Sequence, residues 1–324
     1  MRGQQLPLYR RAPMIVTSAD LGAPTEELWQ IHDHLLQRER QSDGGGSCSL
    51  LDLKIEIAQR ISRECHFCER RCSVNRADRP GFCGVTQSRY SSEFLHYGEE
   101  RELVPSHTIF FTGCTFRCVF CQNWDIARHP DAGATSDPVA FAQRIYARSK
   151  AGSCNVNWVG GDPTPHIGKI LETVRALNTF ARRTEVDARF LNVPMVFNSN
   201  AYYSVEASKL LDGVIDLYLS DFKYGNDSCA HRYSNADNYV RTVTRNLLAS
   251  KERLMIRHLV MPGHVECCTE PIVAWVRENM PNVKFSLMFQ YTPYNVAGYP
   301  EINRVLSDAE RRDALSIANG LNLI

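Results

Sequence analysis

The sequence predicts an α/β fold, a partial (β/α)6 barrel preceded by a small four-cysteine metal-binding segment. Three observations predict it. From residue 101 onward, strand-like and helix-like runs alternate six times, which implies a parallel sheet with right-handed crossovers. Cys65, Cys68, Cys72 and Cys83 lie at C-x2-C-x3-C-x10-C spacing. The turns after the strand-like runs carry glycines, cysteines, amides and charges, at the strand ends where such folds place their sites.

Length and composition bound the reading. The 324 residues allow two domains or one large α/β domain with an extension, and are enough to bury a sizeable core. We expect an N-terminal extension over 1–50, the four-cysteine segment over 51–100 and the barrel over 101–324. Lys and Arg number 37 against 36 Asp and Glu, a net charge of +1, which gives no electrostatic case for nucleic acid or an anionic membrane. No apolar run approaches a membrane span, and Met1 to Gln5 leads into no hydrophobic signal region, so a cytoplasmic protein is expected. Seven of the twelve cysteines fall between residues 65 and 121, a clustering that reads as metal binding rather than as a disulfide framework.

In chain order, Pro24-Thr25-Glu26-Glu27-Leu28 opens like a helix, with Thr25 as N-cap, running to about Arg40. Ser42 to Ser47 reads as a flexible Gly-rich linker. Leu51, Ile55, Ala58 and Ile61 have the spacing of a short amphipathic helix. In the four-cysteine segment, Pro80-Gly81 turns the chain back to Cys83. Four thiolates suit structural zinc or an auxiliary iron–sulfur cluster, and the spacing allows both. Arg70, Arg71, Arg76 and Arg79 make this segment basic, as a solvated face or a protein-docking surface.

The strand-like runs are Thr108–Phe111, Asn155–Val159, Met195–Asn198, Val214–Leu219, Leu254–Met261 and Lys284–Gln290. Helices are signalled near 138–149, 166–178, 204–211, 237–250, 269–279 and 307–319, the last with a capping box, Ser307-x-x-Glu310. After the first strand comes Cys114-x3-Cys118-x2-Cys121, three thiols in one short loop. Thiolates at this spacing suit an iron–sulfur cluster or zinc, and three ligands on four irons leave one iron open.

After the second strand, Gly160-Gly161-Asp162-Pro163 offers glycines that let the backbone approach a ligand closely. After the third, Asn198-Ser199-Asn200 can hydrogen-bond a ribose or carboxylate. After the fourth, Asp221 and Lys223 alternate with Phe222 and so share one face. Arg257 and His264, with Tyr291 and Tyr299, are substrate-side candidates near the mouth. Cys154, Cys229, Cys267 and Cys268 have no ligand spacing with one another and read as free or buried thiols.

The loop FFTGCTFRCVFCQN, with Phe120 before its last cysteine, resembles the signature of the radical SAM superfamily. NWVGGDPTPH, VFNSNAYYS, LSDFKYG, RHLVMPGH and YPEINR follow in order, and with the segment ending in GFCG they resemble the subgroup named for pyruvate formate-lyase activating enzymes. The resemblance implies a partial TIM-like barrel, a [4Fe–4S] cluster on Cys114, Cys118 and Cys121, and S-adenosylmethionine (SAM) at its open iron. It implies Phe120 beside the adenine, and Gly160, Gly161, Asp162, Asn198, Ser199, Asn200, Asp221 and Lys223 around the rest of SAM. Asp162 stands where the family usually has Glu.

The implied activity is reductive cleavage of SAM to a 5′-deoxyadenosyl radical, with electrons from a flavodoxin- or ferredoxin-like donor. The radical would take hydrogen from a glycine in a partner protein. A small molecule or peptide is the alternative substrate, and a non-catalytic iron–sulfur or zinc module the alternative from another class.

Overall fold

An antiparallel strand, β1 (Arg89–His96), leads into six parallel ones: β2 (Ser106–Phe111), β3 (Asn155–Gly160), β4 (Met195–Ser199), β5 (Leu217–Asp221), β6 (Leu254–Leu259) and β7 (Lys284–Met288). The computed structural model describes residues 6–37 and 46–324. The sheet runs in sequence order from β1 to β7, with the short strands Ala134–Thr135 beside β1 and Asn322–Leu323 beside β7. Each of β2 to β7 pairs in parallel with the next. Consecutive parallel neighbours need a crossover each, and helices such as Pro138–Lys150, Ile167–Phe180 and Glu270–Asn279 supply them.

The inner face of the sheet is set by the period of two along each strand. Val196 of β4, Leu217 and Leu219 of β5 and Met255 of β6 form a small apolar cluster with Leu103, apart from the main core. Two residues further along the same strands come Asn198, Asp221 and Arg257. The apolar cluster is therefore a floor, and the polar residues beyond it face the space at the carboxyl ends. The segment between β1 and β2 provides the plug, since Leu103 comes from it.

The main core lies between the sheet and its helices, and the N-terminal residues join it. Tyr9, Leu28 and Leu35 are buried in the same cluster as Ile57 and Leu171. The helix Thr25–Gln37 matches the expected start, while its expected end near Arg40 and the stretch 42–45 lie outside the described residues. The helix Leu50–Arg63 starts with a capping box between Ser49 and Asp52. Its Arg60 donates to the carbonyls of Ala23 at 2.6 Å and Leu21 at 2.7 Å, which ties down the chain before it.

All six expected parallel strands are present. One moves: the run expected over Val214–Leu219 is paired over Leu217–Asp221, because Val214 and Ile215 close the turn after the helix Val205–Leu211. Strand β1 and the helix Asp227–Ser234 were not expected. β1 mixes polar and half-exposed positions along its length, so it carries little apolar alternation. Among the described residues no helix is long and apolar enough to cross a membrane.

Candidate functional site

The three-thiol loop hangs from the end of β2 and is pinned on both sides. On one side Gly161 N–H donates to the Phe111 carbonyl at 2.9 Å, and Asp162 N–H to that of Gly113 at 3.0 Å. A Cβ on Gly161 would lie 2.1 Å from the Gly113 oxygen, and one on Gly160, at φ +128°, 2.1 Å from that of Phe111. These glycines thus let two backbones approach each other. On the other side, Arg117 and Val119 N–H donate to the carbonyls of Ser234 and Tyr233, at the end of the helix Asp227–Ser234.

Each thiol has a donor aimed at it. Phe116 N–H points at Cys114 Sγ at 3.4 Å, the Ser234 hydroxyl at Cys118 Sγ at 2.9 Å, and the backbone of Asn123 at Cys121. Hydrogen bonds of this kind favour a thiolate over a thiol. Burial nevertheless pushes all three thiols up, Cys121 to about 11, so loading with metal must displace their protons. Soft thiolate donors on one buried loop fit an iron–sulfur cluster.

The loop faces a cavity of about 1170 Å³ that all of the expected SAM-side residues line. Cys114, Cys118, Cys121 and Phe120 form one wall, and Gly160, Gly161 and Asp162 the next. Asn198, Ser199 and Asn200 follow from β4, then Asp221 and Lys223 from β5.

Asp162 is buried and its oxygens accept from Thr164 N–H at 2.9 Å and Asn200 N–H at 3.1 Å. Burial raises its pKa to about 6 despite those bonds. Lys223 Nζ lies 2.6 Å from Asp221 Oδ2. Burial opposes the ammonium charge, but the Asp221 carboxylate and Cys118 overcome it and hold the pKa above the ordinary lysine value. Lys223 is thus a fixed cation with Asp221 as its orienter.

The substrate-side candidates part ways. Tyr291 lines the cavity, with its ring 5.8 Å from that of Phe120 and its hydroxyl donating to the Ile302 carbonyl at 2.9 Å. Arg257 lines it too, but its guanidinium is engaged by two carboxylates, Glu99 and Glu100. His264 and Tyr299 do not line the cavity and instead both pack against Tyr233. Glu99 and Glu100 are lining residues that the sequence reading missed. They precede β2, whereas motif reasoning searched the turns after strands.

The four-cysteine segment docks beside the three-thiol loop. Cys68 bridges to Tyr203, just past β4, and Arg70 Nε donates to the Thr115 carbonyl at 3.1 Å. Arg76 is buried, donating to the carbonyls of Val85 at 3.0 Å and Pro165 at 2.5 Å. Of the four arginines read as a basic face, these two therefore turn inward because loop carbonyls need donors. Phe82 N–H donates to Cys72 Sγ at 3.3 Å, and burial pushes Cys65, Cys68 and Cys83 up.

Three thiols, one buried and two half-buried, face a polar cavity at the carboxyl ends of parallel strands, an arrangement suited to a metal–thiolate site on an α/β barrel. The radical SAM superfamily profile matches residues 108–276, from β2 through most of the helix Glu270–Asn279. The chain is 46% identical over 316 residues to the uncharacterized protein MJ0674 of Methanocaldococcus jannaschii, covering 93% of this chain and 90% of that one. The chain belongs to the radical SAM superfamily, and membership implies a [4Fe–4S] cluster and SAM.

Among solved structures, it is similar to Streptococcus suis SuiB bound to S-adenosylmethionine, at 15% identity and a TM-score of 0.46, over 65% of this chain and 47% of SuiB. It is also similar to the radical S-adenosylmethionine methyltransferase TsrM from Kitasatospora setae, at 16% identity and a TM-score of 0.37, over 59% of this chain and 38% of TsrM. The chain thus spans less than half the length of either.

Proposed function

We infer that this chain abstracts a hydrogen atom from a glycine of a partner protein, as an activating enzyme does. Cys114, Cys118 and Cys121 hold the [4Fe–4S] cluster, and the carboxyl-end loops of β3, β4 and β5 hold SAM. On one-electron reduction, the cluster with bound SAM supplies a 5′-deoxyadenosyl radical. The observation that carries the reading is that the three thiols and these three loops all line one cavity.

The chain's own residues bind and orient. Lys223, held by Asp221, pairs with the methionine carboxylate. Asn198, Ser199 and Asn200 offer amide and hydroxyl groups to the ribose and carboxylate, and Phe120 lies against the adenine. Asp162 accepts from the methionine amino group while its backbone bonds fix the loop. The cavity of about 1170 Å³ would take the cluster and SAM, and its open side would admit a segment of a second reactant. A free peptide or small molecule would occupy the same room and is the second reading.

The segment Cys65 to Cys83 holds a further metal, zinc or a second iron–sulfur cluster, and braces the three-thiol loop through Arg70. A flavodoxin- or ferredoxin-like protein supplies the electron.

The test is anaerobic reconstitution with iron and sulfide, then SAM and a strong reductant, with 5′-deoxyadenosine quantified. Wild type produces it and Cys118→Ala does not; production by that variant refutes the cluster assignment. A stable glycyl radical in an added candidate partner, seen by EPR, supports the protein-substrate reading. Turnover of a peptide or metabolite with no such radical sinks it.

A further inference from the structure

Cys229, His264 and Cys267, far apart in sequence, converge in the structure: one donor atom from each lies within 4.8 Å of the other two. No spacing in the sequence relates these residues, because they lie on two separate elements. Cys229 is in the first turn of the helix Asp227–Ser234, and Cys267 in a π-helical turn, Val265–Thr269, that follows β6. π-turns of this kind are frequent at functional sites. The two elements are locked together. Gly225 packs so closely that a Cβ there would lie 2.6 Å from the Cys268 carbonyl oxygen, and Asn226 Nδ2 donates to the Cys267 carbonyl at 2.8 Å.

Both ring nitrogens of His264 lie near protein oxygens. Its Nδ1 lies 2.7 Å from the Pro262 carbonyl, which can only accept, so Nδ1 carries the proton. Its Nε2 lies 3.1 Å from the Tyr233 hydroxyl, but that hydroxyl donates its single proton to the Glu301 carboxylate at 2.7 Å. The Tyr233 hydroxyl therefore offers Nε2 no proton, and an ion would take its place beside this buried ring. A ring whose Nδ1–H is held by a backbone carbonyl is oriented as metal-ligating histidines are.

The geometry points to a zinc site formed by Cys229, His264 and Cys267, with the adjacent Cys268 completing the donor set after a side-chain shift. Cys268 Sγ lies 3.9 Å from Cys267 Sγ. Tetrahedral zinc with bonds to sulfur of about 2.3 Å sets its thiolates about 3.8 Å apart. Three sulfurs and one imidazole are a donor set that zinc takes in structural sites. Cys267 is exposed, which gives the ion an entry path. The ion would clamp the start of the helix Asp227–Ser234, whose far end holds the three-thiol loop through the carbonyls of Tyr233 and Ser234. Binding couples a remote ion to the rigidity of that loop.

The test measures metal in anaerobically purified full-length protein from zinc-supplemented growth. Zinc per chain falls by one in the Cys229→Ser, Cys267→Ser double variant while iron after reconstitution stays unchanged. A Cys65→Ser, Cys83→Ser variant keeps that zinc, which separates this site from the four-cysteine segment. Equal zinc in wild type and the Cys229→Ser, Cys267→Ser variant overturns the proposal. So does a metal-free Cys229–Cys267 disulfide mapped by non-reducing peptide mass spectrometry in the same preparation. Because the double variant could misfold, cobalt titration of chelator-dialysed protein provides a second measurement. Wild type develops a thiolate-to-cobalt charge-transfer band at one more equivalent than the Cys267→Ser variant, which changes a single exposed thiol. Identical titrations overturn the proposal.

Discussion

The Ser234 hydroxyl donates to Cys118 Sγ at 2.9 Å, across 116 residues of sequence. Ser234 Oγ is also 2.6 Å from the Tyr224 hydroxyl. Since Ser234 gives its proton to sulfur, Tyr224 donates to Ser234, and the chain Tyr224–Ser234–Cys118 delivers one oriented dipole to one thiol. The other thiols receive backbone donors, which a side-chain substitution cannot remove. Cys118 is therefore the thiol at which hydrogen bonding can be altered without disturbing the loop.

Ser234→Ala removes that donor and should lower the reduction potential of the reconstituted cluster, because hydrogen bonds to sulfur stabilise the more negative, reduced state. A neutral hydrogen bond worth about 1 kcal/mol corresponds to roughly 40 mV for one electron. An EPR-monitored redox titration of wild type and variant reads the shift. Equal potentials would show that the hydroxyl does not reach the sulfur in the loaded protein.

Arg257 carries a different prediction. Its guanidinium is mostly buried between the carboxylates of Glu99 and Glu100, with Nε 2.7 Å from Glu100 Oε1. Burial opposes the Glu100 charge, but the hydrogen bond and charge of Arg257 outweigh it and lower the pKa. Arg257→Met leaves two buried carboxylates without their cation and should cost roughly 3–5 kcal/mol. Adding Glu99→Gln and Glu100→Gln removes the stranded charges and should restore much of the loss. Urea denaturation of the single and triple variants checks this. A single variant as stable as wild type would mean that water, not Arg257, solvates these carboxylates.

How far the sequence carried the reading depended on where each residue's partners lie. The six parallel strands were legible because their partners are other apolar runs with the same short period. The residues from Cys114 to Lys223 that line the cavity were legible because their chemistry is concentrated in turns after those strands. Glu99 and Glu100 were not, since their significance comes from Arg257, more than 150 residues away. Gly160 and Gly161 line the cavity as expected and also let the Phe111 and Gly113 backbone come close, a second contact that sequence does not show. Cys229 and Cys267 escaped altogether, since no local spacing records the packing of Gly225 on the turn after β6.

Three buried histidines respond to acid in the same direction: His32, whose pKa burial lowers to about 3, His166 and His258. His166 accepts from the Ser88 hydroxyl at 2.8 Å and donates to the Thr112 carbonyl at 2.8 Å. His258 donates to the Phe222 carbonyl at 2.8 Å and accepts from the Thr269 hydroxyl at 2.9 Å. Each neutral ring is satisfied, and a second proton would meet a donor already in place. Burial lowers their pKa values to about 3 and about 4.

Between those values and the ordinary 6.5, the unfolded chain binds more protons than the folded one, so stability is full above 6.5 and falls as pH drops through this window. Asp162 works the other way: its pKa is raised by burial to about 6, and it takes up a proton on acidification more readily when folded. At about 1.36 kcal/mol per unit for each group, three histidines against one aspartate leave a net loss of about 3.5 kcal/mol from pH 6.5 to 5. Denaturation of the metal-free protein at pH 5, 6 and 7 measures this slope, and the His258→Gln variant should be less stable at pH 7 yet lose less on acidification. Parallel slopes in variant and wild type would remove His258 from the acid response.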